Sequence, residues 1–272
     1  MPDTANLKSR IAGGEFDYLA LLHALREYAR PRDRITDLLR QGEIVRVKKG
    51  IYVFGEGADE QAGKRTSEHT DEGSGEGSGE GIDESAGDRP VEGSGKSSGE
   101  GVGEGVGEGA GARPFSREVL ANLICGPSYL SLDSALYHHG LIPERPAAVT
   151  SVVFGRPRRF STPVGLFIYR PLSFRPYRIG IDLAVSATGR PFLIAIPEKA
   201  LVDKVHDERG TAILTLNGMT AWLVENLRIT PERLAGLDIQ KLAAIRDSFG
   251  SRKIRLLHNV VRQLATRKAR TP

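Results

Sequence analysis

The stretch from residue 56 to residue 113 constrains the fold of this chain most, because it has almost nothing to bury. It alternates glycine with glutamate, as in GEGVGEGVGEG, and holds 17 of the chain's 32 glycines. Fifteen acidic and five basic side chains give it a net charge of −10. A sequence this polar and charged buries too little apolar surface to offset the conformational entropy that a chain loses on folding. We therefore predict a disordered acidic linker of Gly, Glu and Ser between two folded domains.

The linker separates two regions, residues 1–55 and 114–272, and both are basic. The first carries a net charge of +3 and the second of +11, although the 272-residue chain as a whole carries only +4. Basic folded surfaces attract polyanions. The charge distribution therefore points to a polyanionic partner such as nucleic acid.

The chain is expected to be soluble and cytoplasmic. Its single cysteine, Cys125, allows no internal disulfide, which fits a reducing compartment. The N-terminus, MPDTANLKSRIAGGEFD, lacks the apolar core of a secretory signal. No run approaches the roughly 18 apolar residues of a membrane span, so no membrane partner is expected.

The first domain shows the pattern of two helices followed by a short hairpin. Apolar residues at three- and four-residue steps predict a helix over 16–29. A proline opens a second helix, 31–41, which Gly42 ends. Alternating apolar and basic residues then predict a hairpin over 43–54 with its turn at Lys49-Gly50. Two helices and a hairpin in about 40 residues are typical of a winged helix-turn-helix.

In such a domain the second helix enters the major groove and the wing lies along the DNA backbone. The candidate DNA-binding residues are the polar and basic side chains of that helix and the wing: Arg30, Arg32, Arg34, Thr36, Arg40, Arg46, Lys48 and Lys49. Asp33 and Asp37 lie on the same outward face, where carboxylates repel phosphate or accept from cytosine N4. A winged helix that binds protein without touching DNA is therefore the alternative.

The second domain is predicted to mix helices and strands, which makes the chain an α+β protein. Helices are predicted over 116–124 and 131–139. Five short stretches rich in β-branched and aromatic residues follow between residues 149 and 197, separated by Gly and Pro. A helix begins at Pro197, and the rest of the chain is helical. The last helix, 252–270, has seven cations and no acid, which suits a solvated face or a contact with a polyanion.

The residue patterns give little support for catalysis. His138 and His139 are adjacent, whereas a metal pair on a helix needs a step of three or four. Asp182 with Glu198 and Lys199 faintly resembles a metal-dependent nuclease core, but adjacent residues at a helix start diverge. We expect no enzyme, no cofactor and no metal, and keep the nuclease as an alternative.

Four segments resemble the AbiEi-type family of antitoxins and transcriptional regulators. They are RITDLLRQGEIVRVKKGIYVFG, LANLICGPSYLSLDSALYHHGLIPE, VTSVVFGRPRRFSTPVGLFIYR and FLIAIPEKALVDKV. The resemblance covers roughly residues 15–55 and 114–207, and its specific pieces are GPSYLSLDSAL with GLIPE, and PEKAL. The acidic insert departs from the family pattern, in which a short connection is expected.

This resemblance implies a bacterial antitoxin of a type IV toxin–antitoxin system, acting in abortive infection as a phage defence. The N-terminal winged helix would bind the chain's own promoter, as double-stranded DNA, and repress the operon. The C-terminal domain would counter a nucleotidyltransferase toxin, without necessarily forming a stable complex. It would be a mixed α/β antitoxin domain with a helical C-terminus. The motif residues carried over by position, expected to determine the fold, are Pro127, Ser128, Tyr129, Ser131, Ser134, Glu198, Lys199 and Asp203.

Overall fold

The computed structural model describes residues 4–11, 13–55, 115–209 and 213–270. The predicted acidic linker therefore lies outside the described residues. Within them the chain is a mixed α+β protein with one three-stranded and one six-stranded sheet. None of the described helices is both long and apolar enough to cross a bilayer.

The N-terminal unit, described up to residue 55, packs helices against an antiparallel sheet. Its elements in chain order are α1 (Thr4–Arg10), β1 (Glu15–Asp17), α2 (Tyr18–Ala24), α3 (Pro31–Arg40), β2 (Ile44–Lys48) and β3 (Ile51–Phe54). The strand order is β1-β3-β2, so β3 lies in the middle. Gly50 makes the hairpin turn with a φ of 85°, a conformation that glycine adopts without strain. The predicted second helix and hairpin are thus confirmed.

The prediction of one continuous helix over 16–29 is wrong. Phe16 lies in β1, where it pairs with Tyr52 of β3. The helix that follows, α2, is capped by Asp17, whose carboxylate accepts a 2.7 Å hydrogen bond from Ala20 N. The apolar residues show a helical spacing because β1, α2 and the turn after it all contribute to one core.

The body, residues 115–209 and 213–270, surrounds a six-stranded sheet with helices. Its elements are α4 (Arg117–Ile124), β4 (Ser128–Leu130), α5 (Leu132–His138), β5 (Val149–Phe154), β6 (Arg158–Thr162), β7 (Gly165–Leu172), α6 (Phe174–Tyr177), β8 (Ile181–Val185), β9 (Pro191–Ala195), α7 (Pro197–Asp207), α8 (Leu216–Ala221) with a π-helical turn (Trp222–Asn226), α9 (Pro231–Leu234), α10 (Ile239–Phe249) and α11 (Arg252–Arg270). The strand order is β6-β7-β5-β4-β9-β8. Neighbours β5 and β7 run parallel, as do β4 and β9, and the other pairs are antiparallel.

Most predicted elements of the body are confirmed, including both early helices and the helix that starts at Pro197. Strand β4 was not predicted, because its three residues are all buried and show no alternation of buried and exposed positions. One of the five predicted strand segments, YRIGIDLAV, becomes a strand only from Ile181, because its first residue, Tyr177, ends the short helix α6.

The small sheet joins the two parts of the chain, because its two faces belong to different cores. Val47 and Val53 pack into the core of the body. Tyr52 and Phe54 pack against the helices of the N-terminal unit. Successive residues of a strand point to opposite faces, so β3 serves both cores at once. Strand β3 is therefore covered on both faces.

Candidate nucleic-acid interface

The outward face of α3 carries a polar stripe at four-residue steps. Arg32, Thr36 and Arg40 are all exposed and lie one turn apart. On the opposite side, Ile35 and Leu38 are buried in the N-terminal core. Because the apolar residues take the inward face, the helix presents this stripe to solvent.

The predicted DNA-binding residues at α3 differ in how far contacts within the protein hold them. Arg30 lies at its N-terminus with Nη1 3.9 Å from Asp33 Oδ2, a distance typical of a weak surface pair. The Thr36 hydroxyl donates a 3.2 Å hydrogen bond to the carbonyl of Arg32. Arg34 is half-buried. The stripe and Arg30 are therefore the most accessible of the predicted residues on α3.

The structure gives Lys48 a role different from the predicted contact with DNA. Its Nζ donates a 2.7 Å hydrogen bond to the carbonyl of Ile124 and lies 4.8 Å from the ring centroid of Phe160. The pairing of β2 with β3 shifts register between Arg46 and Lys48. This irregularity changes the alternation of side chains, so Lys48 faces the body together with Val47.

The hairpin leaves two cations for an outside ligand. Arg46 and Lys49 are both exposed. The turn is tied back by a 3.0 Å hydrogen bond from Tyr18 N to the carbonyl of Gly50. Strand β1 pairs with β3 as far as Ile51, so the hairpin does not extend beyond the sheet as a long wing does.

A buried carboxylate fixes the N-terminal unit to the body. Glu15 is 1 % exposed, and its Oε1 accepts a hydrogen bond from Ser116 N. Its Oε2 lies 3.0 Å from Nη1 of Arg190, which also donates to the Glu15 carbonyl. Sequence reasoning missed this junction. A lone Glu between Gly14 and Phe16, with partners 101 and 175 positions away, gives no local signal.

Two of the motif segments meet at a buried ion pair in the body. Lys199 and Asp203, one turn apart on α7, form the pair, and Lys199 is 0 % exposed. The other oxygen of Asp203, Oδ2, accepts hydrogen bonds from Ser131 Oγ at 2.8 Å and from the Tyr129 hydroxyl at 3.1 Å. The segments PSYLSLDSAL and PEKALVD therefore meet through side chains far apart in the sequence. We call these four residues the buried cluster.

Burial dominates the electrostatics of this cluster. It raises the pKa of Asp203, while Lys199 and the two hydroxyl donors act in the opposite direction. It lowers the pKa of Lys199, which Asp203 counteracts. The Lys199 Nζ also lies 4.8 Å from the ring centroid of Phe249 and 5.6 Å from that of Tyr129. The two charges thus satisfy each other inside the protein.

The remaining motif residues also make hydrogen bonds within the body. The contacts are Tyr177 hydroxyl to Pro127 O (3.0 Å), Ser128 Oγ to Ala121 O (3.5 Å), Thr150 N to Ser134 Oγ (2.8 Å) and Asp238 N to Glu198 Oε1 (2.8 Å). Each of these contacts joins a motif residue to another residue of the body. The motif segments therefore build a scaffold.

The residues of the nuclease alternative do not converge on one site. Glu198 binds the backbone of Asp238, and Lys199 is paired with Asp203. Asp182 is exposed on the edge strand β8. Among the described residues, no group of three or more His, Cys, Asp or Glu side chains is arranged to hold a metal ion.

No protein-family model matches this chain, and no curated protein matches it either. Two groups of polar side chains described above differ in accessibility. The stripe on α3, with Arg46 and Lys49 on the hairpin, is open to a ligand. The buried cluster is closed to one.

Proposed function

We propose that the chain is a transcriptional repressor that binds double-stranded DNA through a winged helix-turn-helix, with α3 as its recognition helix. The observation that carries the proposal is the exposed stripe of Arg32, Thr36 and Arg40. Arg can form two hydrogen bonds to guanine, and Thr can contact either base edges or the thymine methyl group. The order of α2, α3 and the hairpin is also that of a winged domain.

The phosphate contacts of this interface come from the residues around the stripe. Arg46 and Lys49 are exposed on the hairpin, and Arg30 stands at the N-terminus of α3. Backbone N–H groups at a helix N-terminus add to the attraction for phosphate. Each phosphate that these groups neutralise releases counterions, so binding weakens steeply with salt.

Lys48 and Lys49 provide a matched test of the hairpin. They are adjacent and equally charged, but only Lys48 is engaged by the body. Replacing Lys49 with Met should lower the slope of log affinity against log salt by about 0.9, the value for one phosphate on duplex DNA. Lys48→Met should leave that slope unchanged. Fluorescence anisotropy with the DNA upstream of the gene measures both, and equal slopes for the two variants would exclude the predicted hairpin contact.

The stripe itself is tested by Arg32→Ala and Arg40→Ala. Each change should cost about 1–3 kcal/mol of specific binding if the guanidinium contacts a base. Arg10→Ala is a matched control, because Arg10 lies in the same unit but is paired with Glu27 at 2.8 Å. Unchanged affinity in both stripe variants would reject α3 as the recognition helix.

We further propose that the body is the antitoxin domain, acting against a nucleotidyltransferase toxin. The support is the resemblance of its segments to AbiEi-type antitoxins, together with the meeting of two of those segments at the buried cluster. Co-expression of this chain should restore the growth of cells that express a nucleotidyltransferase encoded beside its gene. The Arg32→Ala, Arg40→Ala double variant should restore it equally, because DNA binding is a separate activity. No rescue by the unaltered chain would count against the antitoxin role.

A protein-binding N-terminal unit is the second candidate, and the acids on α3 favour it. Asp33 is exposed and Asp37 half-exposed beside the stripe, and both repel phosphate. This candidate predicts no shift of the upstream DNA even at low salt, together with co-purification of a protein partner. A salt-dependent shift of that DNA would favour the repressor instead.

A further inference from the structure

One end of the large sheet carries a group of exposed aromatic and basic side chains. Strands β5 and β7 run parallel there, and their last residues, Phe154 and Leu172, are register partners. The chain then continues into the loop before β6 and into α6, which begins at Phe174. Both phenylalanines therefore lie at the carboxyl ends of parallel strands, where ligands bind in many open sheets.

Phe154 and Phe174 remain uncovered although they lie side by side. Each is 54 % exposed, and their ring centroids are 5.6 Å apart in an edge-to-face arrangement. Single exposed apolar residues are common on protein surfaces, whereas contiguous exposed apolar surface is often functional. These two rings form an exposed apolar patch at the end of the sheet.

The rings rest on a rigid support. The ring of Tyr177 lies 6.2 Å from that of Phe154 and 5.3 Å from that of Tyr129. The Tyr177 hydroxyl donates to the carbonyl of Pro127 at 3.0 Å, and Tyr129 belongs to the buried cluster. A series of aromatic contacts thus connects this exposed patch to the buried cluster. The position of the rings is fixed by the same motif segments that organise the body.

Exposed arginines surround the rings. Arg156 lies two residues after Phe154, Arg175 lies within the short helix α6, and Arg178 directly follows that helix. The Arg178 guanidinium carbon lies 5.1 Å from the ring centroid of Phe174, within cation–π range. Among the described residues, no ion pair engages any of these three arginines.

A groove of about 540 Å³ adjoins the rings between α6 and α10. It is lined by Phe174, Arg175, Arg178, Ile179, Ala244, Asp247 and Ser248. Asp247 is the one carboxylate in that lining, and its Oδ1 lies 2.8 Å from Nε of Arg246. The groove beside the rings is therefore positively charged, which favours a negatively charged occupant over a neutral apolar one.

We propose that this aromatic surface, consisting of Phe154, Phe174 and the arginines 156, 175 and 178, binds single-stranded RNA. Aromatic faces stack on unpaired bases, and guanidinium groups contact the phosphates between them. Duplex DNA hides the faces of its bases, so it cannot use exposed rings in this way. RNA presents unpaired bases in its loops and tails. The site shares no residue with the stripe on α3 and is independent of the proposed repressor function.

The test uses the full chain and a fluorescein-labelled, unstructured RNA of about 12 nucleotides, a length within the range of single-strand sites. Phe154→Ala and Phe174→Ala should each weaken binding roughly 5- to 100-fold, the effect of losing one base stack. Phe174→Trp should retain binding because it keeps a ring, whereas Phe174→Leu should lose it while keeping the apolar packing. Arg178→Gln should lower the salt slope by about 0.7, the single-strand value for one phosphate.

Two controls distinguish RNA bound at the aromatic surface from RNA bound elsewhere on the protein. Leu183→Ala alters another exposed apolar residue, on the edge strand β8, and it should leave RNA binding unchanged. The Arg32→Ala, Arg40→Ala double variant should lose the upstream duplex but keep the RNA. Three results would overturn the proposal: unaltered RNA binding in both phenylalanine-to-alanine variants, equal competition by duplex DNA of the same sequence, or tighter binding of the matching DNA single strand.

Discussion

Two of the buried carboxylates have different surroundings: Asp203 lies in the body, and Glu15 lies at the junction of the two parts. Asp203 faces Lys199 on its own helix and two hydroxyl donors, all closed off from solvent. Glu15 faces a backbone N–H and Arg190, whose side chain is 33 % exposed. The Asp203 site is sealed from solvent, whereas the Glu15 site reaches water through Arg190.

Because their surroundings differ, the two carboxylates are expected to have different roles in stability. If Asp203 is lost, Lys199 is left charged in the interior, which is among the most costly changes a fold can undergo. If Glu15 is lost, Arg190 can still be hydrated, and the remaining cost is the unpaired N–H of Ser116. We therefore expect Asp203 to govern whether the body folds. Glu15 governs whether the N-terminal unit stays attached to it.

The largest effect is expected from Asp203→Ala. Removing one partner of a buried ion pair costs about 3–5 kcal/mol of folding free energy, which urea unfolding measures. The double change Lys199→Met with Asp203→Leu should recover much of this loss, because apolar residues can replace a buried pair. Recovery stays partial, since the hydroxyls of Tyr129 and Ser131 lose their acceptor.

Asp207 supplies the control for this experiment, because it lies on the same helix and also forms an ion pair. Its partner Arg170 is half exposed, with Nε 3.1 Å from Oδ2. Asp207→Ala should therefore cost less than about 1 kcal/mol. If Asp203→Ala destabilised the protein no more than Asp207→Ala does, the buried cluster would not be the centre of the body's stability.

A smaller effect, with a different signature, is expected from Glu15→Ala. Leaving a buried N–H unsatisfied costs about 1–3 kcal/mol, and this loss falls on the junction. The N-terminal unit and the body should then unfold in separate transitions, which calorimetry resolves. Glu27→Ala removes an exposed carboxylate within the N-terminal unit and should leave the unfolding profile unchanged. A single transition with an unshifted midpoint in Glu15→Ala would refute the assigned role.

Local patterns predicted much of the fold, and they did so where the cause of structure is itself local. The proline at position 31 sets the start of α3, and Gly50 sets the hairpin turn. Strand β5 follows from its run of β-branched residues. These elements were predicted within a residue or two because neighbouring residues determine them.

The long-range contacts could not be predicted in the same way. Lys48 looked like a solvent-facing cation, and only the packed structure gives it the carbonyl of Ile124, 76 positions away. Phe16 fitted a helical spacing, but pairing with Tyr52 made it part of a strand. The aromatic surface was also missed. Phe154 and Phe174 are separated by two strands in the sequence and meet only because β5 and β7 are neighbours.

The smallest expected effect is a loss of stability of the body in mild acid. Burial lowers the pKa of three histidines there, His138, His206 and His258, from the ordinary 6.5. The unfolded chain therefore binds protons at a higher pH than the folded chain does. Between the folded pKa values and 6.5 the unfolded state holds more protons, so the free energy of unfolding decreases as the pH falls through this window.

His206 offers the sharpest test, because its ring packs 5.1 Å from that of Phe249 in the body. Asp203 and Asp207 favour its protonated form and Lys199 and Lys253 oppose it, but burial is the largest influence and keeps the pKa low. His206→Gln removes this proton site, so its melting temperature should fall less than that of the unaltered chain between about pH 6.5 and the folded pKa. In Glu15→Ala the acid-sensitive transition should be that of the body and not that of the N-terminal unit. An equal or steeper fall in His206→Gln would show that other groups carry the acid response.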